Sequence, residues 1–126
     1  MRHEARRVDR DRSILIERLE NAFGRPRVSK DVSIRGASNV EWEVTARVVT
    51  GDNVVSIFDY VKKHKNSVSS TVAMFHDIAR LQTPPKRIVT VSDLREMGLF
   101  VGLLSQAANV IELPKTTDET LRRLAA

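Results

Sequence analysis

The stretch EWE carries Glu41 and Glu43, and the stretch FDYVKKHK carries Asp59, Lys62, Lys63 and Lys65. Carboxylates are hard oxygen ligands of the kind that hold Mg²⁺. An ion held by Glu43 and Asp59, with Glu41 as the alternate acid, activates a water for attack on a phosphodiester, and Lys62 or Lys63 stabilises the charge that develops. Lys62, Lys63 and Lys65, together with Arg25 and Arg27, are then candidate contacts to the phosphates of DNA or RNA. The same residues also have a plainer reading. Glu41 and Lys62 form a cross-strand ion pair worth little, Asp59 ends a strand, and the lysines coat a loop.

Whether these side chains meet depends on the elements that carry them. Leu15, Leu19, Ala22 and Phe23 recur at helical spacing, and Gly24 and Pro26 stop that helix. VSKDVSIR alternates, placing Val28, Lys30, Val32 and Ile34 on one side of a strand. EWEVTARVV alternates too, placing Trp42, Val44, Ala46 and Val48 on one face. TGDN is a turn signal, and the apolar run after it reads as a strand covered on both faces. A two-residue turn there sets Glu43 opposite Tyr60 and Glu41 opposite Lys62. Asn66 and Ser67 are expected to cap a helix whose stripe is Val68, Val72, Phe75 and Ala79. KRIVTV is a fourth strand, Leu94 to Ala108 a helix capped by Ser92 or Asp93, NVIEL a fifth strand, and residues 118–126 a last helix capped by Thr117 or Asp118.

This order gives an α/β fold: a mixed sheet of about five strands, an antiparallel hairpin and then parallel strands, flanked by helices. Residues 1–12 carry five arginines against three acids and read as a basic arm or an extension of the first helix; residues 13–126 form one domain. The C-terminal edge of the parallel strands is where open α/β sheets bind ligands, and two helix N-termini point there.

The 126 residues carry 21 Lys and Arg against 16 Asp and Glu, a net charge of +5 compatible with an anionic partner. There is no cysteine, which excludes disulfides and thiolate metal sites. No apolar run approaches a membrane span, and the charged N-terminus is no secretory signal, so no membrane association and a cytoplasmic location are expected.

The layout from residue 13 to about 113, with acids on the second and third strands, resembles the PD-(D/E)XK, or restriction-endonuclease-like, superfamily. The resemblance implies a Mg²⁺-dependent nuclease with one acid on the second strand, Glu41 or Glu43, and Asp59 as the acid on the third. It also implies a lysine two positions after that acid. Val61 stands there, so Lys62 reaches the site only through a β-bulge near Val61, or Lys63 only by reaching back. Glu17 or Glu20 resembles the helical acid of some members. Residues 54–113 are also similar to uncharacterised bacterial and phage domains placed near this superfamily. The alternative function is the same fold without catalysis, an interaction or assembly module, with a homodimer through the last helices.

Other residues are given structural roles. His3, His64 and His76 lack metal-pair spacing. The adjacent His76 and Asp77 do not face one another on a helix, and Asp77 is expected to pair with Arg80. Trp42 and Tyr60 are packing residues. Gly51, Gly98 and Gly102 belong to no phosphate loop; Gly98 and Gly102 are expected to let a helix approach the sheet or a second subunit closely.

Overall fold

The computed structural model describes the backbone of residues 2–126 and the side chains from Arg10 onward. Five strands form one sheet in the order β1-β2-β3-β4-β5. They are β1 (Val28–Arg35), β2 (Glu41–Thr50), β3 (Val54–Tyr60), β4 (Lys86–Val91) and β5 (Asn109–Glu112). β1 to β3 are antiparallel and β3 to β5 parallel, as the alternation of strands and helices predicts. Helix α1 (Arg2–Phe23) begins inside the expected basic arm, so residues 2–12 continue the first helix. Helix α2 (Lys65–Ala79) joins β3 to β4, and α3 (Leu94–Met97) and α4 (Phe100–Ser105) join β4 to β5. Helix α5 (Asp118–Leu124) closes the chain, capped by Thr117. No helix among the described residues is long and apolar enough to cross a membrane.

Each face of the sheet has its own core. Leu15 and Leu19 of α1 and Leu121 of α5 pack on Ala46, Val48, Phe58 and Ile88. On the other face Val68, Phe75 and Ile78 of α2 and Leu104 of α4 pack on Val44, Ile57, Val89 and Val91. β3 and β4 are therefore covered on both sides, which is why their sequences read as nearly continuous apolar runs.

The alternation expected for the first two strands breaks in the middle. Val32, Ile34, Trp42 and Val44 pack on the α2 side, whereas Val28, Ala46 and Val48 pack on the α1 side. Residues two apart should share a face, so both strands turn over together between these groups. The turnover falls where Asp31 lies level with Thr45 and has a left-handed φ of 51°. The register between β1 and β2 is the same on either side of it. β3 does not turn over: Ile57 and Val61 face α2, Phe58 and Tyr60 face α1. Its ladder with β2 consequently ends at Ala46 and Phe58. The hairpin loop is one residue longer than expected, because Thr50 pairs with Val54.

Two helix expectations need correction. α2 starts at Lys65, with His64 as its cap: the His64 Nδ1 accepts the Asn66 N–H at 3.2 Å. Leu94 to Ala108 is not one helix, since Gly98 takes φ 54° and divides it. A side chain at Gly98 or Gly102 would meet nothing within 4 Å, so neither glycine mediates a close approach to the sheet.

Candidate functional site

Asp59 occupies the point where the β2–β3 ladder fails. Its Oδ1 accepts the Thr45 N–H at 3.1 Å and the Thr45 hydroxyl at 2.9 Å. The Tyr60 N–H in turn donates to Thr45 Oγ1 at 3.3 Å. A side-chain carboxylate thus satisfies a strand N–H that the turnover leaves without its ladder partner. Burial raises the Asp59 pKa above the ordinary aspartate range, while the two bonds from Thr45 and the charge of Arg12 oppose the rise. The second oxygen, Oδ2, accepts no hydrogen bond from any described residue.

Asp59 and Glu43 line one open cleft of about 400 Å³ with Trp42, Tyr60, Asn66, Ser67 and neighbouring residues of α2. Glu43 is exposed and makes no hydrogen bond or ion pair within the described residues. The cleft lies at the C-terminal end of β3, beside the first turn of α2. Two candidate acids and one of the expected helix N-termini therefore share a rim.

The remaining candidates fall elsewhere. Glu41 faces β1, where Ser33 Oγ donates to it at 2.7 Å and Arg35 pairs with it at 3.0 Å. Its expected cross-strand partner, Lys62, is replaced by Arg35 because residues 41–44 pair with β1 and not with β3. Both bonds and the guanidinium lower the Glu41 pKa. Lys62 and Lys63 lie in the loop between β3 and α2, outside any strand, so the facing rule that set Lys62 apart from Asp59 does not govern it. Val61 donates to the Thr90 carbonyl at 3.0 Å and is buried in the core. β3 ends at Tyr60, so no bulge near Val61 returns Lys62 to the site. Lys63, in the loop after β3, and Lys65, at the start of α2, are exposed and do not line the cleft.

Arg25 and Arg27 lie at the opposite end of the sheet, where Arg25 pairs with Glu20 at 3.6 Å and Arg27 borders the hairpin loop. They do not cluster with the lysines. Glu20 is thereby removed from the site as well, and Glu17 is exposed on α1. The α1 acid that does reach this rim is Asp11, whose Oδ2 accepts the Tyr60 hydroxyl at 2.9 Å. Its signal was present in the sequence: Asp11 stands one turn before Leu15 on the core-facing stripe, where a solvated acid has no reason to be.

Asp77 pairs differently from expectation. Its carboxylate accepts the Ser38 N–H at 2.9 Å, the Ser38 hydroxyl at 2.6 Å and the Trp42 indole N–H at 2.8 Å. These bonds lower its pKa, with Arg80 contributing only through its charge. Asp77 therefore clamps the β1–β2 loop to α2 and fixes Trp42 at the margin of the cleft. Gly36 is required there, because a Cβ would stand 2.0 Å from Asp77 Oδ2.

Among the described residues no group of three or more His, Asp or Glu side chains is placed to hold a metal ion. Glu43 and Asp59 both line the cleft, with Glu43 on the strand face opposite Trp42 and Val44, and Asp59 on the face of Ile57 and Val61. Comparison with protein-family models, with curated proteins and with solved structures gives no match.

Proposed function

We propose that the chain is a restriction-endonuclease-like domain that engages DNA or RNA at the Glu43–Asp59 cleft and hydrolyses phosphodiesters with a divalent cation. The observation that carries this reading is that an exposed Glu43 and Asp59, whose Oδ2 accepts no hydrogen bond from a described residue, line one cleft at the end of β3. Two carboxylates suit Mg²⁺, which is commonly held by one or two carboxylates together with water and substrate phosphate. A cation there would polarise a phosphoryl oxygen and lower the pKa of a water. The chain's own groups prepare the place. Burial denies Asp59 the hydration that its charge needs, so a cation is the partner that favours its ionised form. The two Thr45 bonds hold Oδ1 and leave Oδ2 without a hydrogen bond from any described residue. Exposed Lys63 and Lys65, between β3 and the first turn of α2, attract the phosphate backbone.

The test is cleavage of plasmid and single-stranded substrates with Mg²⁺ or Mn²⁺. Wild-type protein is expected to cut, and Glu43→Gln and Asp59→Asn to lose at least about a hundredfold in rate. Wild type that cuts nothing, or variants that cut as well as wild type, would overturn the proposal.

A second reading has its own support. Asp59 Oδ1 has a structural task at the turnover, and Lys62 and Lys63 lie off the cleft lining. On that reading the fold binds nucleic acid or a second copy without cutting. Salt-sensitive binding with no cleavage in either metal identifies it.

A further inference from the structure

We infer that a second cleft, at the hairpin end of the sheet, binds a small monocarboxylate with an apolar body through Arg47. This cleft of about 410 Å³ lies at the opposite end of the sheet from Asp59 and is independent of the proposed nuclease activity. Among the described residues four arginines are half-buried: Arg12, Arg18, Arg47 and Arg87. Arg12 pairs with Asp31, Arg18 with Asp118 and two carbonyls, and Arg87 with the carbonyls of Pro85 and Ala107. Arg47 alone has no hydrogen bond or ion pair, and its Nε is fully shielded.

A guanidinium that is partly desolvated without a partner costs free energy, which an anion arriving from solvent recovers. With Nε shut away, the free edge is the pair of terminal nitrogens, whose parallel N–H bonds match a carboxylate.

The position of Arg47 follows from the turnover described above. Beyond Thr45, β2 places Arg47 level with Ile57, on the α2 face, past the edge of that core. Asn53, Thr83 and Lys86 supply polar groups around it, and Ile34 and Val55 supply apolar wall. No acid lines the cleft to compete. Lys86 already donates to the Ala126 backbone oxygen, so Arg47 is the one uncommitted cation there. One charge suits a monoanion better than a dianionic phosphate, and the apolar wall favours an aliphatic or aromatic body on it.

Benzoate is the probe, titrated into ¹⁵N-labelled protein, with methyl benzoate and inorganic phosphate as separate arms. Benzoate is expected to shift the amides of Asn53, Val55 and Thr83, and Arg47→Met to weaken it at least about tenfold. Methyl benzoate and phosphate are expected to bind at least about tenfold more weakly than benzoate. Benzoate that leaves these amides unmoved, or binds Arg47→Met equally, would refute the site. Phosphate or the ester matching benzoate would refute the assigned ligand class. These wild-type arms decide the matter even if Arg47→Met fails to fold.

Discussion

At the scale of single residues, Asp59 combines two tasks on its two oxygens. One repairs a broken strand ladder, and the other accepts no hydrogen bond from a described residue and is proposed to meet a cation. The sequence drew attention to Asp59 because an acid at the end of an apolar run is unusual. It could not reveal Thr45 as its partner, since that depends on a turnover with no mark in the residue pattern. The raised pKa gives a signed consequence. An acid whose folded pKa is raised contributes stability that is fully present below its unfolded value, roughly 3.9, and lost as pH rises through the folded value. Asp59→Asn has no such titration. The stability of wild type relative to Asp59→Asn is therefore expected to fall from pH 3 to pH 7 in urea denaturation series. A relative stability that grows over that range would show that Thr45 and Arg12 outweigh burial.

At the scale of elements, most of the architecture was legible. The stripes of the first helix and of α2, the hairpin and the covered third strand were recovered in order, whereas the stripe from Leu94 to Ala108 divides at Gly98 into two short helices. The strand facing was not, because the turnover at Asp31 and Thr45 keeps the register while exchanging the faces. Alternation continued through VSKDVSIR and EWEVTARVV as if both strands were regular, and only the left-handed Asp31 marks the change. The Asp77 clamp was also hidden, since it joins residues far apart in the chain. Its demand on Gly36 is strict: Gly36→Ala drives a Cβ into the Asp77 carboxylate. A destabilisation of about 1–3 kcal/mol is expected by urea denaturation. Stability unchanged by Gly36→Ala would mean that the loop is not held as described.

At the scale of the whole molecule, the net charge is +5, and the candidate phosphate contacts fall at two ends of the sheet. Lys63 lies in the loop after β3 and Lys65 begins α2, at the end of the sheet that carries Asp59, whereas Arg25 and Arg27 precede β1 at the other end. If phosphates are drawn to the cleft, Lys63→Glu with Lys65→Glu should flatten the salt dependence of nucleic-acid binding by about two log–log units, while Arg25→Ala leaves it unchanged. Equal effects from both ends would describe a non-specific polycation. The sequence supplied these charges but not their grouping, because only the folded sheet separates β1's start from β3's end.

The central claim is that Glu43 and Asp59 together hold a divalent cation, and isothermal titration with Mn²⁺ measures it without needing a substrate. Glu43→Gln is the decisive variant, because exposed Glu43 has no partner within the described residues whose loss would disturb the fold. One Mn²⁺ per wild-type chain is expected, with affinity reduced at least about tenfold in both Glu43→Gln and Asp59→Asn. Absence of Mn²⁺ binding by wild type, or binding that Glu43→Gln leaves unchanged, would contradict the account.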